Sequence, residues 1–199
     1  VFYLCSNAIW AFFAACLTQT STTFTANAAI MGKVYFPRLV MPVSSVLTGM
    51  LDLVIQLGIL VVAMVCYAFA GYRFSIGPML LMAPVLVVQT GILGLGCGII
   101  VAALTTKYRD LAVLVSFGVS LWMYISPVVY TIELLPEKYL SLYMLNPMSP
   151  IIECWRNAVI DSGTFYWSYW AMSWISTAVV LVLGVVLFSH IEKTFMDTV

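Results

Sequence analysis

Apolar residues along this chain fall into long unbroken runs separated by short polar stretches. Five runs, at residues 2–25, 43–70, 78–104, 111–130 and 166–189, are about 20 residues long or longer. A helix rises about 1.5 Å per residue, so each run is predicted to cross a hydrocarbon core about 30 Å thick. The first run turns polar in its second half. None shows the alternation of a membrane β-strand. The longest stretch outside the runs, 131–165, predicts two short amphipathic helices. Tyr139, Leu142, Tyr143 and Leu145 give one apolar face, and Ile151, Ile152, Trp155, Ala158 and Val159 follow helical spacing for the other. Asn146-Pro147 and Ser149-Pro150 break the chain between them, and Gly163 is expected to end the second. Helices of this kind lie at the membrane interface or dip back into it.

Composition agrees. Of 199 residues, 63% are hydrophobic and 8% charged, against about 25% charged in a soluble domain. So little charge cannot clothe a water-facing surface, whereas lipid tolerates an apolar one. The formal net charge is zero, which gives no basic footprint for nucleic acid. Cys5, Cys16, Cys66 and Cys97 sit in apolar runs and Cys154 in a polar region. None is part of a C-x-x-C pair, so neither a disulfide framework nor a metal site is implied. The chain opens on Val inside an apolar run, with no charged leader region, and is expected to begin partway into a longer protein.

Five spans place the two termini on opposite sides. Lys33, Arg38, Lys107, Arg109 and Lys193 fall on one side; Arg73, Lys138 and Arg156 fall on the other. The positive-inside rule makes the first side cytoplasmic.

Enzymatic chemistry finds little footing. His190 is the only histidine and sits at the end of the last run, so no triad or zinc pair can be assembled. Gly32-Lys33 resembles the end of a phosphate loop. However, Asn27 stands where its first glycine is required, and Val34 replaces the Ser or Thr. Any ATP and Mg²⁺ would therefore be bound by a separate subunit. Asp52 lies ten residues beyond Pro42, about 15 Å along a helix, and Gln56 one turn further on can reach it. As an intramembrane carboxylate it is a buried polar candidate, either a functional acid or half of a packing pair. Gly94 and Gly98 form a small-xxx-small pair suited to close helix packing. Thr18, Ser21, Thr22 and Thr25 make a hydroxyl stripe that either lines a hydrated path or bonds back to its own helix. Aromatics crowd the non-cytoplasmic span ends: Trp10, Phe12 and Phe13, then Trp122, Tyr124 and Tyr130, then Phe165 to Trp174. They read either as an interfacial belt or as flat faces on which sugar rings stack.

Four motifs occur in order. Asn27 precedes Lys33-Val34-Tyr35-Phe36-Pro37-Arg38 and Pro42. Tyr108-Arg109-Asp110 opens a span that closes with Ser126-Pro127-Val128-Val129-Tyr130. Asn146-Pro147 is followed by Ile151-Ile152-Glu153 and Arg156, and the tail reads Glu192-Lys193-Thr194-Phe195-Met196-Asp197. In this order and spacing the chain resembles permeases of type-2 ABC exporters, above all the branch exporting polysaccharide, O-antigen or teichoic acid.

The resemblance covers nearly the whole chain. It implies an all-α integral membrane protein in one permease domain, residues 1–199. Five transmembrane helices are expected here and six in the full-length protein, with short extracytoplasmic re-entrant or gate helices. It implies a homodimer in the bacterial cytoplasmic membrane, carboxy terminus cytoplasmic, with two ABC ATPase subunits that bind ATP and Mg²⁺. The exported substrate would be a lipid-linked polysaccharide. Residues 26–41 resemble the coupling segment that docks into the ATPase, with Asn27, Lys33, Tyr35, Phe36 and Arg38 as contacts. Tyr108, Arg109 and Asp110 would form a second contact. Residues 131–165 resemble the outer gate. Candidate gate or channel residues are Trp10, Phe13, Trp122, Tyr124, Tyr130, Tyr139, Tyr143, Trp155 and Arg156; the charges of the gate segment can instead form a solvated face. Two rivals stay open: a lipid or drug exporter of the same fold, and an ion-coupled carrier or channel built around Asp52.

Overall fold

A computed structural model describes residues 1–26, 40–71, 77, 79–107, 111–132, 136–163 and 165–196. Every regular element among these residues is a helix, with no strand among them. The helices are α1 (Phe2–Ala26), α2 (Val40–Phe69), α3 (Ala83–Lys107, preceded by a 3-10 turn at Leu80–Met82), α4 (Leu111–Ile125), α5 (Glu137–Tyr143), α6 (Met148–Ile160) and α7 (Trp167–Met196).

α1, α2, α7 and the stretch Leu80–Thr105 are long and apolar enough to cross a membrane. The fourth expected span is shorter. α4 has 15 residues, about 22 Å of helix, and stops at Ser126-Pro127. Pro127 has no N–H to continue the ladder, and Val128 N–H bonds instead to Ser126 O at 2.7 Å in a tight turn. The two short helices of the 131–165 segment are α5 and α6. α6 ends earlier than expected: Asp161, at φ 51°, takes the left-handed capping position assigned to Gly163, and its N–H bonds to Arg156 O.

α1 and α3 run side by side at the centre. Half or more of their apolar windows is buried, against 17% for α2 and 22% for α7. Missing side chains set this closeness. A Cβ on Gly94 would stand 2.6 Å from Cys16 Cβ, and one on Gly98 2.5 Å from Thr20 Cβ. On the other face of α3, a Cβ on Gly96 would meet the Leu181 backbone at 3.0 Å, and one on Gly184 of α7 would meet Gly96 O at 2.9 Å. One glycine pair thus seats α1 and another seats α7. Gln89 meets Ser173, Gly96 meets Leu181, and Cys16 meets Gly94, so α1, α3 and α7 run parallel. Val1 and Met196 consequently lie at opposite ends, as an odd number of crossings requires.

The hydroxyl stripe of α1 bonds to its own helix. Thr18 Oγ1 donates to Ala14 O at 2.7 Å, Ser21 Oγ to Thr18 O at 2.7 Å, and Thr22 Oγ1 to Thr18 O at 3.2 Å. The side chain of Thr25 lies outside the described residues.

Candidate functional site

The two ends of the bundle gather different residues. At one end Thr23 near the close of α1 and Ser45 in the second turn of α2 share a hydrogen bond of 3.0 Å. There Thr105 Oγ1, near the end of α3, reaches Ser21 O at 3.5 Å. The flanks of segments 27–39 and 108–110 therefore emerge together. The candidate contacts within them, Asn27, Lys33, Tyr35, Phe36, Arg38, Tyr108, Arg109 and Asp110, lie outside the described residues.

The opposite end holds α6, which is amphipathic and deeply set. Ile151, Ile152, Trp155 and Ala158 are buried along one side. Trp155 Nε1 donates to Cys5 O of α1 at 3.0 Å. Ser173 Oγ donates to Pro147 O at 2.8 Å while accepting from Gln89 Nε2 at 3.0 Å, and Trp170 Nε1 donates to Gln89 Oε1 at 3.0 Å. α6 is thereby fastened to α1, α3 and α7.

Arg156 and Glu153 do not form a solvated face. They are 0% and 3% exposed and form an ion pair one turn apart. Arg156 Nη1 also donates to Tyr130 O at 3.3 Å, and its guanidinium lies 4.4 Å from the centre of the Phe2 ring. Gly163 allows the chain to pass over the carboxylate: a Cβ there would stand 2.6 Å from Glu153 Oε2. Buried in this way, Arg156 no longer belongs among the loop charges of the positive-inside comparison.

α4 touches this assembly mainly through its outer end. Trp122 meets the rings of Trp10 and Phe13 edge-on, at 6.3 and 5.2 Å. Its Nε1 donates to Asn146 Oδ1 at 3.1 Å, and Asn146 Nδ2 donates to Ser126 Oγ at 2.9 Å. Tyr130 and Tyr143 share a hydroxyl hydrogen bond. Burial, then the bond to Tyr130, holds the Tyr143 hydroxyl above the ordinary tyrosine range, so it acts as a neutral hydrogen-bonding group. Val115, Gly118, Val119 and Trp122 of α4 line an open apolar groove of about 320 Å³ together with Leu17, Cys97, Val101 and Val180.

The candidate gate residues thus divide. Trp10, Phe13, Trp155 and Arg156 are packed inside the helix bundle, where no sugar ring can reach them. Tyr124 and Tyr139 are well exposed, and Trp122, Tyr130 and Tyr143 are partly so. The apolar side of α5 also faces outward, with Tyr139, Leu142 and Leu145 exposed. Lys138 and Asp161 are exposed too, and Glu133 lies outside the described residues. Sequence reasoning missed the Gln89–Trp170–Ser173 network and the bracing role of Asn146. The i,i+3 spacing of Glu153 and Arg156 was a usable signal for their pairing.

Asp52 corrects an expectation. It is exposed on the outward face of α2, Gln56 is only partly buried, and the two form no hydrogen bond. The face it occupies also carries Leu51, Val54 and Ile55, all exposed. The core side of α2 is held by Gly49, Leu53 and Leu60 instead. Asp52→Leu is therefore expected to leave stability unchanged or to raise it, because no protein partner is lost and a carboxylate facing lipid or detergent is costly. Thermal unfolding of the detergent-solubilised protein checks this, and a loss beyond 2 °C in Tm would show that Asp52 has a partner.

The ABC-2 type transporter membrane family matches residues 2–160. An O-antigen export system permease protein RfbA of Klebsiella pneumoniae is 28% identical over 188 residues, 94% of this chain and 71% of that protein. A protein of the same description from Myxococcus xanthus is 25% identical over 149 residues, 74% of this chain and 55% of its own length. The family match takes in α1 to α6, from the central helix pair through the whole α5–α6 element. The chain is a multi-pass membrane protein and belongs to the ABC-2 type transporter family.

Proposed function

We propose that this chain is the membrane-spanning subunit of an exporter that moves a lipid-linked polysaccharide, of O-antigen, capsule or teichoic acid type, out across the bacterial cytoplasmic membrane. The observation that carries the reading is the similarity to O-antigen export permeases over 94% of the chain, which takes in both ends of the bundle. The permease works as a homodimer with two copies of an ATPase subunit, which bind ATP and Mg²⁺ on the cytoplasmic face. Its own residues form no bonds in the substrate.

The bundle geometry suits this division of labour. The flanks of segments 27–39 and 108–110 lie together at one end, where a single ATPase surface can reach both segments. The gate pair α5–α6 lies at the other. That assignment puts the carboxy terminus on the cytoplasmic side, in line with the charge distribution. The outward placement of Asp52 weighs against a proton relay, because a relay needs acids lining a path through the bundle.

Phe36→Ala combined with Arg38→Ala tests the reading. The aromatic and the guanidinium are the residue types that dominate docking energetics. In the full-length permease co-expressed with its ATPase, the double variant is expected to lower two-plus-two complex recovery and export at least tenfold, with normal membrane insertion. Undiminished export by a stably inserted double variant would remove the docking assignment.

A further inference from the structure

α6 is fixed to the bundle on three sides, whereas α4 is the least embedded of the long helices. In α4 only Val119 is buried among the described side chains, and the apolar groove runs beside the helix from Val115 to Trp122. Its hydrogen bonds to the rest of the protein gather at its outer end. The Tyr130 hydroxyl reaches Tyr124 O and Ile125 O at 3.3 Å, while Trp122 and the adjoining Ser126 both bond to one side chain of the α5–α6 break, Asn146. Asn146 sits in the break between α5 and α6, and its Oδ1 also accepts from Met148 N–H at 3.2 Å, in the first turn of α6. The orientation of the amide is forced. An indole N–H and a backbone N–H can only donate, so the oxygen must face them and the NH₂ must face Ser126. One side chain thus closes the base of the 127–145 excursion and ties α4 to a helix that cannot follow it.

We propose that Asn146 is a positioning residue for transport, the pin about which α4 swings against the fixed α6. Displacement of the inner end of α4, next to segment 108–110, then tilts the helix about Asn146 and shifts the outer gate in step. Without the pin, the outer end of α4 slips and the gate loses its link to the inner end. This rests on the export reading given above, but the pin itself is a property of the permease alone.

Asn146→Leu keeps the approximate volume and removes all three hydrogen bonds. Asn146→Asp keeps them, since the second carboxylate oxygen can accept from the Ser126 hydroxyl once that hydroxyl rotates. Full-length permease and its ATPase are reconstituted in liposomes, and ATP hydrolysis and export are measured separately. Asn146→Leu is expected to lower export at least tenfold with hydrolysis kept within threefold, and Asn146→Asp to recover at least a third of wild-type export. Loss of hydrolysis in parallel with export, in both variants alike, would mean a general folding role and overturn the proposal. So would wild-type export by Asn146→Leu. Spin labels at Leu114 of α4 and Val182 of α7 give a readout that needs no transport. The distance distribution in the permease alone should be narrow in the wild type and at least twice as broad in Asn146→Leu; equal widths overturn the pin. If the wild type shows no ATP-dependent export, the functional reading falls, and the label distances still decide the pin.

Discussion

Arg156→Met is expected to destabilise the folded protein by about 3–5 kcal/mol, the usual cost of stripping a buried carboxylate of its partner. The substitution keeps most of the side-chain volume, so the effect is one of charge and hydrogen bonding. Glu153 would remain 3% exposed with its ion pair gone. Tyr130 O would lose the donor now at 3.3 Å, and the Phe2 ring its cation. Two further variants apportion the loss. Arg156→Lys retains the charge but not the planar fork that serves carboxylate, carbonyl and ring together, so it should fall between Met and wild type. Replacing both partners, Glu153→Leu with Arg156→Met, removes the uncompensated charge and should recover most of the stability. Thermal unfolding of the purified protein in one detergent ranks all four. Equal Tm values for Arg156→Met and wild type would mean that water reaches the pair and that α6 is more loosely set than its contacts indicate.

That ion pair also marks where the sequence stopped being informative. The four long apolar helices, the shorter α4, the two short helices and the opposed termini were legible because each rests on a pattern local to one element: an apolar run, a 3.6-residue period, a proline break. Gly94 and Gly98 were legible as packing residues because a missing side chain means the same thing wherever the partner lies. Burial of a polar residue is different, since it depends on what other elements bring to it. Asp52 and Arg156 both read as charges near apolar residues. Asp52 turned outward because Leu53 and Leu60 claim the core side of α2, while Arg156 turned inward because Phe2 and the Tyr130 carbonyl converge on it. The role of Asn146 was hidden for the same reason. Asn-Pro announces a break in the chain, but its bond to Trp122 spans 24 residues and becomes visible only when α4 has been placed.

Gly98→Val should be the most damaging change in the membrane-spanning core, with a loss of about 1–3 kcal/mol or more from overpacking. The first added atom alone would stand 2.5 Å from Thr20 Cβ, 2.7 Å from Thr20 Cγ2 and 3.0 Å from Leu17 O. A flexible side-chain tip could turn aside, but a Cβ and a backbone carbonyl move only with their helix. Relief therefore requires α1 and α3 to separate along their length, which also opens the contact of Gly94 with Cys16 one turn away. Gly58 supplies the control. It is in the interior of α2 with nothing within 4 Å of its would-be Cβ. Gly58→Ala should therefore be neutral or stabilise by about 0.5–1 kcal/mol, because alanine loses less backbone freedom in a helix. A compensating pair sharpens the test. Gly98→Ala should lose part of what Val loses, and Thr20→Gly, which removes the Cβ it strikes, should cost less in the Gly98→Ala background than in the wild type. Membrane-inserted yield and Tm report both effects. If Gly98→Val folds as well as wild type, or if Thr20→Gly costs as much in the Gly98→Ala background as in the wild type, then α1 and α3 do not meet on this glycine face and the centre of the bundle must be arranged differently.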